Sequence, residues 1–224
     1  LAYSHDGQVI ATGHRNGDVY LWDASTHELS GSPLQHPGPA QGLAFSPDGA
    51  MLAVTCGDWT TRIWDVKSGE ALGRVLRHRG FPDDVAFSPD GRYLAVAADS
   101  DTVRLWEVHT DERLLVSHAV GGLARRAAVD PTGRVVAVGG DQLHMLDAAT
   151  WAPVWPPVDP SAFISSLVFT PDGEILVTGG ADGSVTLWDV ATGRLRHHTS
   201  GHESWVQGVD VHPNGRGLLT GSSD

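Results

Sequence analysis

Short runs of apolar residues, broken every few positions by Gly, Pro, Asp and Ser, fill the chain from one end to the other. Gly42-Leu43-Ala44-Phe45 and Ser166-Leu167-Val168-Phe169 each lead into a tight-turn dipeptide, and Met51-Leu52-Ala53-Val54 and Ile175-Leu176-Val177-Thr178 follow one. A third kind of run, Thr102-Val103-Arg104-Leu105-Trp106, carries the β-branched and aromatic side chains that suit a pleated strand. The fourth is weaker, as in Arg194-Leu195-Arg196-His197-His198. Asp-Gly, Ser-Pro and Gly-rich clusters between the runs punctuate hairpins. No segment sustains a helical period, so the fold class is all-β.

This order of runs repeats. The turn dipeptides Asp6-Gly7, Asp48-Gly49, Asp90-Gly91, Thr132-Gly133, Asp172-Gly173 and Asn214-Gly215 are 42 residues apart, with one step of 40. Trp22-Asp23, Trp64-Asp65, Trp106-Glu107, Leu146-Asp147 and Trp188-Asp189 follow the turn by 16 residues, or by 14 in the fourth repeat. Four antiparallel strands cannot bury both faces alone, so neighbouring sheets must stack around an axis. With Gly201-His202 before Asn214-Gly215, and Asp172-Gly173 before Trp188-Asp189, the pattern resembles the WD-repeat β-propeller family over essentially the whole chain. The resemblance implies a single propeller domain with blades near 1–38, 39–80, 81–122, 123–162 and 163–204 and a partial blade at 205–224. Five complete blades and half of a sixth predict an open arc cut from a larger ring, needing the remaining blades of a parent chain.

The resemblance also implies a structural network at each blade corner. In the family a His before the first strand bonds an Asp of the turn between strands two and three, and connects to a Ser or Thr of strand two and the strand-three Trp. Carried over by position, the His corners are His36, His78 and His202, with His118 two residues out of phase. The strand-two column is Thr12, Val54, Val96, Val138, Thr178 and Thr220; the Asp column is Asn16, Asp58, Ser100, Asp141, Asp182 and Asp224. The Trp column is Trp22, Trp64, Trp106, Leu146 and Trp188. No blade holds all four corners, and Pro160 stands where the His of blade five belongs. Partly satisfied buried networks are costly, so blades three and four are expected to be the less rigid ones.

Composition narrows the function. With 15 basic against 27 acidic residues, the net charge of -12 disfavours nucleic acid as a partner. No apolar run approaches the ~18 residues of a membrane helix, and no secretory signal is visible, so neither membrane nor export is expected. The single cysteine, Cys56, allows no internal disulfide, and a cytoplasmic location is expected. Lys67 is the one lysine among arginines, which hints at a GC-rich, bacterial coding sequence. The His–Asp pairs recur with the repeat and so read as architecture rather than as catalytic dyads. His197 and His198 point to opposite faces of a strand, and His202 belongs to its corner, so no metal site is expected. Phosphate-cradling loops, G-x-S-x-G, H-E-x-x-H and C-x-x-C are missing from the sequence, which predicts no cofactor and no catalytic residue.

Positions that vary between repeats are the candidates for recognition. Before strand one stand Pro39, Phe81, Leu123, Phe163 and Trp205; two residues on stand Gln41, Asp83, Arg125, Ser165 and Gln207. Trp59 occupies a loop position where other repeats carry small or polar residues. Aromatics and Arg concentrate in binding hot spots, so Trp59, Phe81, Arg125, Phe163 and Trp205 form the candidate partner-binding set. The opposing reading has Phe81, Phe163 and Trp205 plugging between blades. The function expected is a non-catalytic protein- or peptide-binding scaffold, part of a longer regulatory or signalling protein. The alternative is a ligand-sensing or enzymatic propeller with Asp83 and Arg125 at its channel. The segment from Trp151 to Pro157 at the outer edge of blade four is too proline-rich for a full hydrogen-bond ladder.

Overall fold

The structure, a computed structural model, describes residues 1–98, 102–108 and 114–224. They fall into two compact units, Leu1–Ser100 with Arg104–Ser117, and Asp101–Val103 with His118–Asp224. The first unit holds two four-stranded antiparallel sheets and most of a third. These are β1–β4 (Ala2–Tyr3, Val9–Gly13, Asp18–Asp23, Leu34–Gln35), β5–β8 (Ala40–Phe45, Met51–Cys56, Thr60–Asp65, Ala71–Arg77) and β9–β12 (Pro82–Phe87, Tyr93–Ala98, Thr102–Glu107, Leu114–Ala119). In the second unit β13–β15 (Ala124–Val129, Val135–Gly140, Leu143–Asp147) form a three-stranded sheet. It is followed by the four strands β16–β19 (Ile164–Phe169, Ile175–Gly180, Ser184–Asp189, Leu195–Ser200) and the pair β20–β21 (Val206–Val211, Leu218–Ser222). No described residue is helical. Consecutive strands pair antiparallel, which makes each sheet a propeller blade.

Strand two of a blade explains the apolar runs. Every residue of Met51–Cys56 is buried, because this strand is covered on both faces by neighbouring sheets. The period of two divides its side chains. Met51 and Ala53, with Ile63 and Leu76, pack on Val85, Phe87, Leu94 and Val96 of the third sheet. Leu52 and Val54 point the other way, toward Ala11, Val19, Leu21 and Leu34 of the first. In the second unit Leu143 and Met145 meet Ile164, Leu176 and Trp188, and Val177 and Val185 meet Val206. Burying such Leu, Ile or Phe side chains stabilises by about 1.5–3 kcal/mol each before conformational entropy is counted. The inter-blade seams are therefore the cores.

The turn between strands one and two is fixed by its own side chains. Ser46 Oγ donates to Asp48 Oδ1 at 2.6 Å, and the Ala50 amide donates to the same oxygen at 3.0 Å. Gly49 takes φ +71°, a value that costs glycine nothing. The fourth blade inverts the pair: Asp130 sits where the serine is, and Thr132 donates to it from the aspartate position. That swap accounts for its Thr-Gly turn.

Blade four loses its outer strand. Beyond β15 only isolated bridges remain, Leu146 with Pro153 and Leu143 with Val158. Instead Trp155 packs on Gly193, where a Cβ would lie 2.8 Å from its ring, and donates its indole N–H to the Val190 carbonyl at 3.0 Å. Two buried tryptophans, Trp151 and Trp155, thus occupy the edge that elsewhere is a strand.

Candidate functional site

The corners differ from blade to blade. In blade two Trp64 Nε1 donates to His36 Nε2 at 3.0 Å, with the rings 5.2 Å apart at 65°. His36 Nδ1 lies 3.1 Å from the Gly17 carbonyl, which makes Nδ1 the protonated nitrogen. Asp58 is not this ring's partner; it receives Thr60 Oγ1 and pairs with Arg62 at 3.1 Å. Burial lowers the His36 pKa, and the Gly17 carbonyl partly opposes that.

In blade three the ring of His78 turns elsewhere. Its Nε2 is bonded to Thr61 Oγ1 at 2.9 Å, on β7 of the preceding sheet. Among the described residues His78 Nδ1 and Trp106 Nε1 are buried with no hydrogen-bond partner, and the two rings stand 6.1 Å apart. Burial, then the Arg104 charge, pushes the His78 pKa down to about 4. Ser100, the third member by sequence, lies outside the described residues.

Blade four has Val120 and Leu146 at the two ends of its corner, both buried. The neighbouring His144 is buried beside them, its Nε2 without a partner among the described residues. Burial and then the His118 charge lower its pKa, while the Val120 carbonyl raises it. In blade five Trp188 Nε1 donates to Thr178 Oγ1 at 2.9 Å, and Asp182 Oδ1 accepts the Ser184 amide at 3.0 Å. At the last pair, His202 Nε2 bonds Thr220 Oγ1 at 2.9 Å and Nδ1 lies 3.3 Å from both Asp224 oxygens. Most of these groups are spoken for by the framework; His78 Nδ1, Trp106 Nε1 and His144 Nε2 are the exceptions among the described corner residues. Among the described residues no three His, Cys, Asp or Glu side chains are placed to hold a metal ion, and His198 is bonded to Thr186 Oγ1 at 2.9 Å.

The variable positions lie on the loops instead. In the first unit Trp59 is 55% exposed with φ +66°. Glycines hold the matching turn positions in blades one and five, Gly17 at φ +92° and Gly183 at +81°. A bulky residue in that region is strained by roughly 1–3 kcal/mol, and such strain gathers at functional sites. Phe81 is half-buried against Gly57. In the second unit three variable positions meet: the Arg125 guanidinium stands 5.9 Å from the Phe163 ring, and Phe163 lies 6.4 Å from Trp205 with 34° between planes. Trp205 is 47% exposed, and Leu123 of the same column 44%.

Two groups escaped the sequence reading. Thr61 stands in a column otherwise filled by Val19, Val103, Leu143 and Val185, so a hydroxyl among aliphatics was the visible sign. His144 had no sign, because only its packing against Val120 reveals it.

The family model described as WD domain, G-beta repeat matches residues 1–23, 28–65, 71–107, 158–189 and 193–224. The longest unmatched stretch, residues 108–157, contains the three strands of blade four, where Leu146 replaces Trp and the outer strand is lost. The chain is similar to nuclear distribution protein nudF 2 of Penicillium rubens, 41% identical over 29% of this chain and 14% of that protein. It also resembles the Lissencephaly-1 homolog of Caenorhabditis briggsae, 38% identical over 24% of this chain and 14% of the relative. Autophagy-related protein 16 of Arabidopsis thaliana is 40% identical over 24% of this chain and 10% of its own length. The matches thus span less than a fifth of each relative. Repeat pattern, sheet topology and family match agree that the chain belongs to the WD40 family of G-beta repeat proteins.

Proposed function

We propose that this chain is a non-catalytic scaffold that binds a partner protein or peptide through its loop aromatics, within a longer regulatory protein acting in the cytoplasm. The observation that carries the reading is the exposure of large aromatics at loop positions that vary between repeats, while the repeated polar groups are buried or half-buried in the blade corners and most are bonded there. Trp59 is the sharpest case, since a strained and exposed indole stands where glycine would serve the turn. Trp205, tilted against the Phe163 ring, is the second. WD40 repeats in general mediate protein–protein contact, which supports the same conclusion for this chain. The acidic net charge of -12 supports a protein partner over nucleic acid.

The test is affinity capture with the parent protein against a Trp59→Ala, Arg125→Ala, Trp205→Ala variant whose circular dichroism and melting are unchanged. A specific protein captured by the parent and lost in the variant is the expected result. Equal capture by both would remove the loop aromatics from the account. Co-purification of a small molecule without a protein would turn the reading toward a ligand sensor.

A further inference from the structure

We propose that the Phe163–Trp205 shelf of the second unit is a docking site for an arginine-bearing segment of a partner protein. The proposal rests on the scaffold reading and adds the chemistry of the partner. The shelf is built by neighbouring loops locked to one another. The Ala181 amide donates to the Phe163 carbonyl at 2.9 Å. The backbone at Gly183 runs so close to the His202 carbonyl that no Cβ fits between them. The Glu203 amide donates to Asp224 at 2.7 Å. Asp182, Glu203 and Asp224 are therefore held around the loop that carries Trp205.

Two properties of this loop cluster select the partner. The Arg125 guanidinium already lies near the Phe163 ring, whereas the Trp205 indole is left 47% exposed. An indole face attracts a cation, and a planar guanidinium stacks on it best. The surrounding charge has the same preference. Among the described residues none of Asp182, Glu203 and Asp224 is paired with a Lys or Arg; only the His202 imidazole approaches Asp224. The carboxyls of Asp182 and Asp224 both favour the ionised form. Burial works against Asp182, but the Ser184 hydrogen bonds still hold it below the usual range; the Glu203 amide does the same for Asp224. An acidic segment would be repelled here. A neutral one would leave the charge unmatched, in a chain whose net charge is already -12.

The experiment uses the whole chain and three fluorescein-labelled, N-acetylated, C-amidated nonapeptides, read by fluorescence anisotropy. One alternates arginine and glycine around a central leucine, the second has citrulline for each arginine, and the third has glutamate. The arginine peptide is expected to bind at least about tenfold more tightly than either of the others. Trp205→Ala should weaken it about tenfold and Glu203→Gln about threefold, with Trp205→Phe retaining most of the affinity. Raising salt from about 0.05 M to about 0.5 M should weaken it further. Binding of the arginine peptide that ignores Trp205→Ala would reduce it to general attraction to an acidic chain and overturn the proposal. Tighter binding of the citrulline or glutamate peptide, lost in Trp205→Ala, would keep the shelf as a docking site but overturn its charge preference. No binding by any peptide also overturns it, while the scaffold reading still stands or falls on the capture experiment.

Discussion

Blades two and three carry the same three side chains at their corners: His36, Val54 and Trp64 in one, His78, Val96 and Trp106 in the other. In the first, imidazole and indole are hydrogen-bonded at 3.0 Å; in the second, the indole N–H and one imidazole nitrogen are buried without partners among the described residues. The difference comes from a residue outside the triad. His36 has Val19 at the place on the preceding sheet where His78 has Thr61, and the Thr61 hydroxyl takes the nitrogen that Trp106 would otherwise use. A repeat's polar corner is thus decided by its neighbour as well as by its own residues. Its sheet still forms with the corner half-bonded, because the apolar seam between Ile63, Leu76, Val85 and Leu94 is unaffected.

The largest effect expected from this contrast is an unequal cost of losing the two histidines. His36→Leu strands the Trp64 indole N–H and should cost about 2–3 kcal/mol; His78→Leu strands the buried Thr61 hydroxyl but also removes an imidazole nitrogen that has no partner among the described residues, so it should cost about 1 kcal/mol less. Urea unfolding of both variants checks this, and equal costs would break the comparison. Next comes acid sensitivity. With a folded pKa of about 4, His78 stays neutral while the unfolded chain takes up a proton below about 6.5. Stability present above pH ~6.5 is therefore lost as pH falls toward ~4, by about 1 kcal/mol per pH unit, and levels off below. His78→Leu should flatten that limb of a stability–pH curve.

A smaller and sharper test is Thr61→Val, which gives blade three the aliphatic neighbour that blade two has. The ring should then accept the Trp106 indole N–H, raising stability by about 1 kcal/mol. In an NMR spectrum that proton should move downfield and exchange more slowly; an unmoved resonance would refute the diversion. Smallest is Trp59→Gly. Removing the positive-φ strain should leave stability equal or raised by about 0.5 kcal/mol, while partner capture falls. A clear loss of stability would assign Trp59 to the framework instead.

Much of the fold was legible because it is local. Asp48 and Gly49 make their turn with a serine two residues before Asp48, and Trp64-Asp65 marks strand three by distance from that turn, so the period shows in the letters. The blade-four edge was half legible: the prolines announced a broken ladder, but not that Trp155 would seat itself on Gly193. The candidate rim was legible as a set of variable aromatics and no further.

By itself, the sequence determined the all-β class, the strand order, the blade phase and the turns, since each depends on residues within one hairpin or on a regular spacing. Only the tertiary structure decided which polar groups bond. The Thr61–His78 contact, the tilted contact of Phe163 with Trp205 and the approach of Arg125 to Phe163 all join residues from different hairpins. Hydrogen bonds and ring contacts turn on separations of a few tenths of an ångström to a few ångströms, and these are set by how neighbouring sheets pack.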